Sequence, residues 1–64
     1  MNSKIEAKIR FRLNQLNEQK TKMIDYLLLK VDEADWHGVA DSAMDLRDIE
    51  NTIEGIMWVS KDTL

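Results

Sequence analysis

Apolar residues recur along the first half of the chain at helical spacing. Ile5, Ile9, Leu13, Leu16, Met23, Ile24, Leu27, Val31 and Ala34 fall on one face at a 3.6-residue period. Ser3 followed by Glu6 fits a capping box, in which each side chain satisfies a backbone donor of the first turn. Together these predict a helix over about residues 4–33. Residues 4–13 also carry a competing signal, because Ile5, Ala7, Ile9, Phe11 and Leu13 alternate with polar residues as a half-buried strand would. No turn chemistry separates this segment from the helix that follows, and no other segment offers a partner strand. Helix is the preferred reading.

Asp35 is a good N-cap for a second helix over about residues 36–59. Its apolar stripe is Trp36, Val39, Ala43, Leu46, Glu50, Ile53 and Met57, widened by Ile49 and Ile56, with fraying expected near Ser60. If the chain reverses near residues 33–35, antiparallel partners have numbers that sum to about 70. Val31 then meets Val39, Leu27 meets Ala43, Ile24 meets Leu46 and Leu13 meets Met57. Each stripe has one charged interruption, Lys20 in the first and Glu50 in the second, and these obey the same rule. A charge in an apolar seam is costly alone but tolerable when paired, and such a pair can set register. The expected fold is therefore all-α, an antiparallel two-helix hairpin forming a single domain over residues 1–64. The segment before Ile9 finds no partner in the second helix and is expected to overhang.

Length bears on how that hairpin becomes stable. A chain of 64 residues buries only about 60% of the surface its unfolded form exposes. Disulfides, a metal or oligomerisation usually rescue folds of this size. Cysteine is absent and there is one histidine, so assembly with copies of itself is the remedy left, giving a homo-oligomeric helical bundle. Ala40, Met44, Arg47, Asn51 and Trp58 recur beside the main stripe of the second helix and supply an oligomer face.

Charge is unevenly placed. Residues 1–22 carry six basic and two acidic side chains, residues 23–64 three basic and ten acidic. Nucleic-acid binding draws its affinity from a concentrated basic face. Here the basic arm shares a chain with an acidic segment, so attraction between the two halves is the expected use and nucleic acid is not an expected partner. The N-terminus lacks the apolar core of a secretion signal, and no apolar run approaches the roughly 20 residues of a membrane span. Neither membrane nor cofactor is expected, and the cytoplasm is the expected compartment.

Candidate chemistry gathers at the start of the second helix. A helix N-terminus presents free N–H groups and partial positive charge, a ready anion site. There Trp36 offers a stacking surface, His37 a donor that titrates near neutral pH, and Gly38 room for a ligand to approach the backbone. The plainer reading has Trp36 plugging the end of the bundle and His37 hydrogen-bonding near the loop. Asp41, Asp45 and Asp48 line one side of the helix a turn beyond His37. That spacing can chelate a divalent ion, but a solvated or inter-subunit acidic face explains it more simply, and no metal site is expected. Arg47 can close a salt bridge or hold a phosphate. It lies roughly 15 Å from the Trp36 turn along one helix, so a site using both would be shared between subunits, with Arg10 and Arg12 of the basic arm as further phosphate holders. Catalytic residues are not expected: no nucleophile–base arrangement is present, and a single hairpin cannot wall off a dry pocket.

The stretch Asp35-Trp36-His37-Gly38-Val39-Ala40-Asp41-Ser42-Ala43-Met44-Asp45-Leu46-Arg47-Asp48-Ile49-Glu50 resembles a motif of short helical-hairpin proteins encoded by bacteriophages and prophages. The resemblance covers 16 of the 64 residues and is carried by the D-W-H-G and D-L-R-D portions. It implies a viral protein acting in the cytoplasm of an infected bacterial host. In size and helicity the chain is also similar to phage anti-defence proteins that sequester nucleotide-derived immune signals. Two functions from different classes follow. In one, an oligomeric sponge stacks a base on Trp36, holds phosphates with His37, Arg47, Arg10 and Arg12, and binds ribose hydroxyls with Asp41. In the other, the hairpin is an interaction module docking its Ala40–Trp58 face on a host protein.

Overall fold

The computed structural model describes residues 3–61. It contains two helices, α1 (Ser3–Asp32) and α2 (Trp36–Ser60), laid side by side. At about 1.5 Å per residue, 30 residues make a rod of roughly 45 Å, and the hairpin measures 49 × 15 × 10 Å. Residues 4–13 are helical throughout, and the alternation there does not describe a buried face: Ile9 and Leu13 are half-buried, whereas Ala7 and Phe11 are exposed. Glu6, expected in a capping box, instead accepts a hydrogen bond from Arg10 Nη2 at 2.9 Å. Ser3, expected as the cap, is the first residue of α1.

The reversal is built from backbone hydrogen bonds. Ala34 N donates to Val31 O at 3.0 Å and Asp35 N to Lys30 O at 2.9 Å, the bond pair of a Schellman motif. That motif puts its C′ residue in the left-handed region, and here the residue is Ala34, with φ of 56°. A Cβ in that conformation crowds the neighbouring carbonyl, which is why glycine usually stands there. Ala34→Gly should therefore stabilise the hairpin by about 1 kcal/mol, less the entropy glycine adds to the unfolded chain. Chemical denaturation of the two proteins checks it, and a loss of stability would mean that the alanine is not strained.

Immediately after the turn, the Asp35 carboxylate caps α2, accepting from Gly38 N at 3.0 Å. Lys30 ties the reversal together from the other side. Its Nζ lies 3.2 Å from Glu33 Oε1, 3.7 Å from Asp35 Oδ2 and 5.1 Å above the centre of the Tyr26 ring.

The seam between the helices follows strict 3–4 spacing. On α1 it runs through Ile9, Leu13, Leu16, Lys20, Met23, Leu27 and Lys30, and on α2 through Val39, Ser42, Leu46, Ile49, Ile53, Ile56 and Ser60. This is the coiled-coil repeat. Helix α2 is thus rotated by on the order of 60° from the stripe expected of it. Ser42 and Ile56 occupy the positions assigned to Ala43 and Met57, which are exposed along with Trp36 and Glu50. The pairings Leu27–Ala43 and Leu13–Met57 therefore fail, and Val31–Val39 and Ile24–Leu46 are not seam pairs either, since Val31 and Ile24 are exposed beside the α1 seam. Rotation places the β-branched Ile49, Ile53 and Ile56 against α1 and moves Glu50 out of the seam. Lys20 Nζ still reaches Glu50 Oε1 at 3.5 Å, but with side chains 37% and 51% exposed this is an edge contact rather than a buried pair. Exposed pairs contribute little, so it guides register more than it holds the fold.

Two serines make close approach possible. Ser42 is 1% exposed and Ser60 also buried; their hydroxyls donate to the carbonyls of Gly38 (2.6 Å) and Ile56 (2.7 Å) one turn back, so burial leaves neither unsatisfied. Among the described residues Leu16, 2% exposed, is the one fully buried apolar side chain. The first turns of α1 run past Ser60, the end of α2, as expected; Ile5, 53% exposed, and Ile9 line a groove there with Gly55, Ile56 and Val59.

Candidate functional site

The turn end holds the residues on which a ligand site was expected. Asp35 caps the helix, so the free N–H of Gly38 is already taken by its carboxylate. The space beside Gly38 is filled too. A Cβ built there would meet Lys30 Cδ at 2.8 Å, Lys30 Cγ at 2.9 Å and Asp35 Oδ2 at 2.9 Å. The space on that side of the glycine is thus taken by the lysine stem of its own hairpin. Trp36 is 65% exposed and plugs nothing within one hairpin, and His37 is exposed beside it.

Asp41, Asp45 and Asp48 stand on the open surface of α2. Among the described residues no three histidine or carboxylate side chains converge as metal ligands would. Arg47 is exposed on the neighbouring side, about 16 Å along the helix from Trp36. Arg10 and Arg12 sit near the opposite end of the hairpin, roughly 30 Å from the turn, bound to Glu6 at 2.9 Å and Gln15 at 3.4 Å. The hairpin therefore brings Trp36, His37 and Gly38 together and leaves Arg47, Arg10 and Arg12 apart from them.

Lys30 was missed by sequence reasoning, although it occupies the last seam position of α1 and faces two acidic residues of the loop. Glu33, by hydrogen bond and by charge, holds the Lys30 ammonium above the ordinary lysine range, with Tyr26 and Asp35 adding to the effect and desolvation opposing it. A raised folded-state pKa means that this contribution is complete below the unfolded value of roughly 10.4 and disappears as pH climbs through the folded one. Thermal melts between pH 9 and 12 should show a loss of stability at the alkaline end that Lys30→Arg, still charged there, largely removes. Identical pH profiles for the two proteins would show that the turn does not depend on this charge.

The face formed by Ala40, Met44, Asn51 and Trp58 is exposed along its length, with Trp58 at 69% and Lys61 Nζ 5.2 Å above its ring. Trp58 and Met57 also border an open groove of about 520 Å³ together with Asn17, Lys20 and Glu54. A second groove of about 660 Å³ lies around Gly55. No helix among the described residues is long and apolar enough to cross a membrane. Comparison with family models, curated proteins and solved structures finds no match for the chain.

Proposed function

We propose that the chain is a non-enzymatic helical interaction module that assembles with copies of itself and presents an exposed face to a protein partner. The observation that carries this reading is the distribution of apolar surface. Among the described residues one apolar side chain is fully buried, while Phe11, Leu28, Leu29, Met44, Met57 and Trp58 are each more than half exposed. Large apolar side chains left outside the core in this number support an interaction surface. The Met44–Trp58 face suits a protein partner because methionine adapts its shape and tryptophan anchors interfaces. A phage or prophage origin and action in the host cytoplasm, which the D-W-H-G and D-L-R-D stretch implies, belong to the same proposal. Sedimentation of the purified protein tests the assembly, and cross-linking in cells tests the partner. A protein captured by the wild type and lost with Met44→Ala/Trp58→Ala supports the reading. A chain that sediments as a monomer at millimolar concentration ends it.

Capture of a nucleotide-derived signal is the second reading, favoured by the exposed indole of Trp36. It requires the Trp36–His37 turn of one copy to meet Arg10 and Arg12 at the open end of another. Calorimetric titration with cyclic nucleotides and ADP-ribose derivatives decides it: heat that vanishes with Trp36→Ala supports capture, and no heat with any of them excludes it.

A further inference from the structure

Gly55 lies inside α2, where glycine is the poorest helix former after proline. Nothing within its own hairpin asks for it, since a Cβ built there meets no atom within 4 Å. The contrast with Gly38, whose side is packed by Lys30, is direct. Around Gly55 the groove of about 660 Å³ is lined by Ile5, Ile9, Thr52, Ile56 and Val59, with no charged side chain; Val59 is 72% exposed. A notch in a helix, walled by apolar side chains and unused by the monomer, fits close approach by a second helix.

The geometry points to a second copy of this chain as the occupant, reversed end for end, with its Gly55 crossing this one. This rests on the self-assembly reading above and names the surface that performs it. Two features of the hairpin argue for a copy. The first is area: reversal about Gly55 overlaps roughly 36 Å of the 49 × 15 Å side, on the order of 500 Å² from each copy, about the 1,000 Å² in total that a specific interface needs. The second is charge. The Lys20–Glu50 contact sets the level of one helix against the other, so Gly55 stands level with Gln15. From that level Lys8 lies seven residues toward the open end and Asp48 seven residues toward the turn, about 10 Å each way. Reversal about Gly55 therefore brings Lys8 of each copy level with Asp48 of the other. The row Asp41, Asp45, Asp48, Thr52, Gly55 and Val59 forms one line along α2, so the acidic ladder and the apolar notch belong to one surface.

Analytical ultracentrifugation of the full chain tests this. Gly55→Ala should retain or raise helicity by circular dichroism and yet weaken self-association at least tenfold, and Gly55→Leu should give monomers. Lys8→Asp and Asp48→Lys should each weaken association severalfold, and combining them should restore it, a rescue that misfolding cannot imitate. A wild type that assembles, with the Gly55 variants associating equally well and no rescue by the charge exchange, overturns this surface and leaves self-assembly standing. A monomeric wild type overturns both.

Discussion

Leu16→Ala should remove about 3 kcal/mol of stability, the middle of the range for truncating a buried leucine where the surroundings cannot collapse. Leu16 is 2% exposed, the deepest apolar side chain of the seam. Its neighbours are held on two straight rods, so the cavity stays open along the groove between them. A chain of 64 residues has a total stability of roughly 3–10 kcal/mol. The single truncation therefore consumes a large share of it, and dilute protein should lose most of its helical ellipticity near body temperature. Denaturant unfolding at matched protein concentration gives the magnitude. Leu16→Met, which conserves volume, should cost less than about 1.5 kcal/mol. If alanine and methionine behaved alike, with little change in midpoint, the seam at Leu16 would not be what holds the hairpin closed.

The hairpin was legible because its signals are local and agree with one another. Asp35 is a strong cap, no proline interrupts either helix, and the register set by Lys20 and Glu50 appears as a 3.5 Å contact. The rotation of α2 was not legible, because Ser42 reads as polar and was left out of the apolar stripe. Size matters more than polarity at that position. A small side chain whose hydroxyl turns back to the Gly38 carbonyl lets two backbones close up, whereas Ala43 or Met57 in the seam would have carried Glu50 inward with them. Hydrophobic periodicity counts apolar atoms and has no account of a satisfied serine.

The candidate site shows the same limit. Trp36 and His37 were placed correctly at the start of a helix, but the worth of that helix start as an anion site depends on whether its N–H groups are free. Asp35 satisfies the Gly38 N–H, and the Lys30 stem, arriving from the other helix, fills the space beside Gly38. Sequence spacing within one element cannot report what a second element brings. The two glycines make the point together: both look alike in the sequence, one is filled by its own fold and the other is open. Their roles separate only when the space around each is known.

Ser42→Leu should cost about 1–3 kcal/mol, the range for overpacking a filled position. Ser42 is 1% exposed, so three added carbons have nowhere to go unless the helices part. Parting them there works against the turn a few residues away, where the Lys30 stem must stay seated against Gly38 for its contacts with Glu33 and Asp35. Hydrophobicity alone argues the reverse, since leucine completes an apolar seam flanked by Val39 and Leu46. Ser42→Ala separates the two arguments. It removes the 2.6 Å bond to Gly38 O but keeps the volume small, and alanine favours helix, so its effect should stay within about 1 kcal/mol. Denaturant midpoints of the three proteins at one concentration decide the matter. A leucine variant as stable as the wild type would mean that the seam at Ser42 is loose and that close approach of the helices is not what excludes larger residues.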